Sequence, residues 1–160
     1  MRETEASIRG RVMRDMIARV TNDHLIGKKI KSGELRRHIG ETEPPWKCPD
    51  HFTMQVIDLG EFTAELLCPK ENPREDKVIL QLHGGGYVGG MRNAYRMFAG
   101  LYSEVSHGMS VLTADYRVAP EHPYPAALED AYAAYCWLLS EGWFSDQIIL
   151  AGDSAGGGHA

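Results

Sequence analysis

Ile148-Ile149-Leu150-Ala151-Gly152-Asp153-Ser154-Ala155-Gly156-Gly157 is the stretch whose reading decides the fold. Its first four residues form an apolar run of strand length, the kind found where a parallel strand is covered on both faces. The run ends directly in the spacing G-x-S-x-G, followed by small residues. Such a spacing suits a tight turn from strand into helix, on which Ser154 is held in a strained backbone conformation. Gly152 and Gly156 must lack side chains if the two backbones are to approach so closely. Ser154 Oγ then points into open space. The next amide, on Ala155, faces the position in front of that oxygen, and the start of the following helix adds a dipole favouring negative charge there.

Working outward, two further runs, residues 78–82 and 110–114, share this doubly covered character. Between the three lie segments of helix length, 93–106 and 125–140. The second carries Leu128, Ala131, Tyr135, Leu138 and Leu139 along one stripe, with Pro125 at its start. Upstream, Phe52, Met54 and Val56 alternate with polar residues; after a turn at Gly60, so do Phe62, Ala64 and Leu66. That pattern predicts an antiparallel hairpin. The order β-β-β-α-β-α-β predicts an α/β sheet with right-handed crossovers, whose ligands sit beyond the carboxyl ends of the strands.

A second motif falls at such an end. His83-Gly84-Gly85-Gly86-Tyr87 follows the run 78–82, and successive glycines let backbone N–H groups converge on one anion. Together the two motifs describe a serine nucleophile on an elbow and an oxyanion hole built from Gly84, Gly85 and Ala155. His83, Gly86, Gly152, Asp153 and Gly156 serve as their support.

Three stretches, 83–90, 115–127 (Asp115-Tyr116-Arg117-Val118-Ala119-Pro120-Glu121-His122-Pro123-Tyr124-Pro125-Ala126-Ala127) and 152–157, resemble the hormone-sensitive lipase family of α/β-hydrolases, in the family's order and over roughly residues 50–160. The resemblance implies a three-layer, mostly parallel sheet and a serine carboxylesterase acting on short or medium acyl esters without a cofactor. It also implies an N-terminal helical cap. Residues 1–45 are expected to belong to that cap and residues 46–160 to the N-terminal part of the hydrolase core. Asp153 is similar to the subgroup with Asp before the nucleophile. In the family the triad acid and histidine follow the serine well downstream, whereas this sequence ends at Ala160. The expectation is an N-terminal piece of a longer hydrolase, truncated after the nucleophile strand and inactive alone, with any homo-oligomer interface in the missing C-terminal part. His159 is too near Ser154 in sequence to fold back onto it, His83 resembles the oxyanion-loop residue, and His122 belongs to a Pro-rich loop.

The remaining composition fits this reading. With 160 residues, 43% hydrophobic and 24% charged, the chain has the length and balance of one globular domain. The longest charge-free stretch, residues 78–91, is too short to span a bilayer and holds five glycines. Arg2, Arg9, Arg11, Arg14 and Asp15 leave no apolar signal-peptide core, so a cytoplasmic protein is expected. Cys48, Cys68 and Cys136 have neither disulfide nor zinc spacing and are read as thiols, and His24, His38, His51 and His107 lack metal-ligand spacing. Residues 1–40 hold 10 Lys and Arg against 5 Asp and Glu. Ile8, Val12, Met13, Met16, Ile17 and Val20 interleave with those charges at helical intervals, so an amphipathic helix over residues 5–20 is favoured over a nucleic-acid arm. A weaker pattern carries Leu35 and Ile39 to a boundary at Pro44-Pro45.

Two other functions compete. Gly84, Gly86 and Gly89 also satisfy G-x-G-x-x-G after a strand, a dinucleotide fingerprint, although the third glycine precedes the expected helix start near Asn93. A non-catalytic binder of the same family is the other. Asp115, Arg117 and Glu121 are read as structural, and Tyr132, Tyr135 and Trp137 as core.

Overall fold

The computed structural model describes residues 11, 12, 15, 26–34, 43 and 45–160. The chain divides into two units, Met1–Glu41 and Thr42–Ala160. In the first, Arg11, Val12 and Asp15 are helical and a short helix α1 spans Ile26–Lys31. The rest of the helix expected over residues 5–20, and the pattern at Leu35 and Ile39, lie outside the described residues.

The second unit is built on a five-stranded sheet: β1 Phe52–Asp58, β2 Thr63–Pro69, β3 Arg74–Leu82, β4 Met109–Asp115 and β5 Ile148–Gly152, in spatial order β1-β2-β4-β3-β5. Helix α2, Asn93–Val105, joins β3 to β4; helix α3, Ala126–Ser140, and a 3-10 turn at Ser145–Gln147 join β4 to β5; α4, Ala155–His159, follows. The hairpin β1-β2 and the pair β2-β4 are antiparallel, while β3 pairs in parallel with both β4 and β5. Parallel pairs need long crossovers, and the two helices supply them.

Side chains alternate across β3, so the sheet packs helices on both faces. Val78, Leu80 and Leu82 join Leu112, Ala114, Tyr116 and the α3 residues Ala127, Ala131, Ala134 and Leu138 in one core. Ile79 joins Phe52, Leu67, Met109, Val111 and the α2 residue Ala99 in the other. Each fully buried leucine or valine contributes about 1.5–3 kcal/mol relative to exposure, so these two layers hold the strand ends in fixed positions. No described helix is long and apolar enough to cross a membrane.

Two expectations about burial need correction. The inner stripe of α3 is Ala127, Asp130, Ala131, Ala134 and Leu138; Leu128 and Leu139 of the expected stripe are exposed, and Tyr132 stands 68% exposed rather than in the core. The apolar period is displaced because a charged residue, Asp130, occupies the inner face. Arg117 accounts for it, donating from Nε at 2.9 Å to Oδ2 and from a terminal nitrogen at 2.8 Å to Oδ1, while its backbone N–H bonds Oδ2 at 2.8 Å. Strand β5 is the other correction. Ile149 and Leu150 are 40% and 43% exposed rather than covered, since β5 is the last strand in the sheet order and has a neighbour on one side only.

Candidate active site

Register brings the two motifs together. Leu82 of β3 lies opposite Gly152 of β5, so the residues that leave the two strands, His83-Gly84 and Asp153-Ser154, emerge level with each other. Leu82 also lies opposite Ala114 of β4, which brings Tyr116, two residues on, level with Gly84. The site is thus a cluster of three strand ends, at the carboxyl edge where parallel sheets collect ligands.

Ser154 occupies the residue before α4 with φ 51° and ψ −116°, a conformation that a non-glycine residue adopts only at a cost of order 1–3 kcal/mol. Its side chain is exposed and caps no helix N–H. Ala155 and Gly156 are buried against the end of β3, where a Cβ on Gly156 would overlap the Leu82 carbonyl oxygen. The serine is therefore lifted outward by the close packing of the residues that follow it.

His83 is fully buried, its ring stacked on that of Tyr116 with centroids 4.0 Å apart and planes 3° apart. Nδ1 lies 2.9 Å from the Gly84 carbonyl oxygen, and because a carbonyl only accepts, Nδ1 carries the proton. Burial lowers the His83 pKa, so the ring is neutral. Tyr116 Oη donates to the His83 carbonyl, and the burial that raises its pKa keeps the phenol protonated for that purpose. Further along the loop, Ala119 N–H bonds the Tyr87 carbonyl at 2.9 Å, Met91 N–H bonds Asp115 Oδ1 at 3.3 Å, and Gly89 N–H bonds Gly85 O at 2.8 Å. The segment after β4 is a brace for the glycine loop. Sequence spacing alone could not reveal this, since it depends on which residues face across β3 and β4.

The donors differ from expectation at one position. Gly84 N–H donates to Asp153 Oδ1 at 3.0 Å and is not free for an incoming anion. Among the described residues, no acceptor is found for the N–H groups of Gly85, Gly86 and Ala155. A Cβ on Gly84 would come 2.5 Å from Asp153 Oδ2 and 3.0 Å from the Asp153 backbone oxygen, so a side chain there would displace the carboxylate that holds this amide.

Neither histidine of the two motifs is set to serve Ser154. His83 is walled in between Tyr95 and Tyr116, and the His159 ring packs edge-on to Tyr87 and Tyr116, each with centroids 5.1 Å away. His159 Nε2 is buried without a hydrogen-bond partner among the described residues, and burial lowers its pKa. The sign follows from linkage. With folded-state pKa values of His83 and His159 below the ordinary 6.5, the unfolded chain binds protons first, so stability is lost as pH falls below about 6.5. Thermal midpoints measured at pH 8 and pH 5.5 should therefore fall less in a His159→Leu variant than in the wild type; an equal fall would show that His159 carries none of the acid sensitivity.

The dinucleotide reading loses its site. Helix α2 begins at Asn93, beyond Gly89, and Ala94 N–H at its start donates to Glu43 Oε1 at 3.1 Å, so a carboxylate already occupies the place a phosphate needs.

Comparison with known proteins agrees. A family model described as the alpha/beta hydrolase fold matches residues 79–160. The chain belongs to the α/β-hydrolase family. The chain is 41% identical over 105 residues to an acetyl-hydrolase of Streptomyces hygroscopicus, covering 66% of this chain and 34% of that protein. Against the hormone-sensitive lipase of Bos taurus it is 37% identical over 107 residues, covering 64% of this chain and 14% of that protein. A crystal structure of an esterase/lipase from an uncultured bacterium superposes with a TM-score of 0.68 at 39% identity, covering 78% of this chain and 41% of that one. The likeness is to hormone-sensitive-lipase-like hydrolases, and the chain spans about a third of the acetyl-hydrolase's length.

Proposed function

We propose that the whole protein carrying this chain hydrolyses carboxylic esters through Ser154. The observation that carries this reading is the register of Leu82 with Gly152, which sets an exposed serine at φ 51° level with a glycine loop whose next amides have no acceptor among the described residues. Ser154 Oγ adds to the ester carbonyl carbon. The carbonyl oxygen becomes an oxyanion received by the N–H groups of Gly85 and Ala155, with Gly86 in the role first expected of Gly84. Loss of one such donor typically costs about 3–4 kcal/mol of transition-state stabilisation. The alcohol leaves, and water then hydrolyses the acyl-serine. The base that takes the Ser154 proton, and the acid that orients it, are proposed for the remainder of the whole protein. The relatives named acetyl-hydrolase and esterase support an ester of a small acyl group as substrate. Three free thiols fit a reducing, cytoplasmic setting.

A fluorophosphonate probe tests the reading. Stoichiometric labelling of the whole protein that disappears in Ser154→Ala is expected; absence of labelling together with saturable NAD binding would reinstate the dinucleotide reading.

A further inference from the structure

Asp153 puts a carboxylate beside a cradle meant for an anion, which opposes the reaction unless the charge serves another purpose. Its hydrogen bond indicates that purpose. In a trans peptide unit the C=O and N–H point in opposite directions, so holding one end aims the other. The His83-Gly84 peptide is held at both ends: Tyr116 Oη donates to its carbonyl, and Asp153 Oδ1 accepts its N–H at 3.0 Å. The next unit, Gly84-Gly85, has its carbonyl drawn to His83 Nδ1 at 2.9 Å, which turns the Gly85 N–H away from the imidazole. That amide is one of those without an acceptor among the described residues. Asp153 is also the residue adjoining Ser154, and its backbone oxygen lies 3.0 Å from where a Gly84 Cβ would stand, so elbow and loop are in close approach here. One side chain therefore sets both the spacing of nucleophile and loop and the direction of the loop's first free donor.

We propose that Asp153 is a positioning residue which, by holding the Gly84 amide against the Tyr116 hydroxyl on the opposite end of the same peptide, aims the Gly85 N–H at the oxyanion formed on attack by Ser154. The inference rests on the esterase reading and deepens it. An acceptor is what the role requires, and the negative charge is not. Asp153→Asn, which keeps Oδ1, should retain kcat within about threefold, whereas Asp153→Ala should lose roughly a hundredfold in kcat with KM little changed, the signature of a donor aimed at the transition state.

The experiment is steady-state hydrolysis of p-nitrophenyl acetate and butyrate by the whole protein and its Asp153→Asn, Asp153→Ala and Tyr116→Phe variants, with thermal midpoints measured alongside. Tyr116→Phe keeps the ring stacked on His83 but frees the other end of the peptide, so it should show the same kcat-selective loss. It decides the matter if Asp153→Ala does not fold. An Ala variant with kcat unchanged, an Asn variant as impaired as Ala, or losses confined to KM would overturn the inference while leaving Ser154-dependent turnover, and hence the esterase reading, intact. A wild type with no Ser154-dependent turnover would overturn both.

Discussion

Replacing Ser154 by alanine in the whole protein should reduce kcat for activated esters by at least about 10⁴-fold, with substrate affinity and fold unchanged. The effect is large because the substitution removes the attacking oxygen itself, and the neighbouring Asp153 carboxylate is held by the Gly84 N–H. What survives is the amide cradle, which by itself retains some acceleration over water. Stability separates this substitution from a second one. Alanine at φ 51° carries the same backbone strain as serine, so Ser154→Ala should leave the thermal midpoint where it is. Ser154→Gly relieves that strain and should raise stability by about 1 kcal/mol while abolishing turnover equally. Activity that persisted in either variant would remove Ser154 from the mechanism. The 160 residues alone, in which His83 and His159 are packed against tyrosine rings, should turn esters over no faster than Ser154→Ala; faster, Ser154-dependent turnover would mean that a base is present within them.

Gly156→Ala should be the most damaging single substitution for the fold. In a helix, glycine to alanine ordinarily stabilises by up to about 1 kcal/mol. Here the added carbon would overlap the Leu82 carbonyl oxygen and stand 2.7 Å from that of His83, both backbone atoms where β3 ends. Neither can yield without breaking the register that joins β3 to β5. Overpacking against backbone is at or above the upper end of its usual range, about 3 kcal/mol or more, so the clash outweighs the helix preference severalfold. Gly90→Ala is the control: a Cβ there meets nothing within 4 Å and should change stability by no more than about 0.5 kcal/mol. Denaturant midpoints of the three proteins would measure the difference, and a Gly156→Ala midpoint equal to that of Gly90→Ala would mean that α4 does not pack on β3 as described.

Much of this was legible in the residues themselves. The apolar runs at 78–82, 110–114 and 148–151 fall within β3, β4 and β5; the first two are continuous because doubly covered strands need apolar side chains on both faces, while β5, at the end of the sheet order, leaves Ile149 and Leu150 exposed. The expected hairpin forms as the antiparallel pair Phe52–Asp58 and Thr63–Pro69, but its burial does not follow the alternation: Met54 and Val56 are exposed, since β1 ends the sheet order. Helix faces were harder. The α3 stripe was misplaced because Asp130 reads as a surface residue until Arg117, thirteen positions earlier, is known to lie against it.

For the candidate site the division is similar. Chemical type and local geometry, a serine between glycines after a strand and a glycine run after another, are written in the order of residues, since steric limits on backbone turns act over a few positions. Which amides stay free is not. Asp153 taking the Gly84 N–H, and Tyr116 taking the His83 carbonyl, both follow from strand pairings made between residues some 30 to 70 positions apart. Hydrogen bonds of that reach are fixed by register and core packing, which only the folded chain decides.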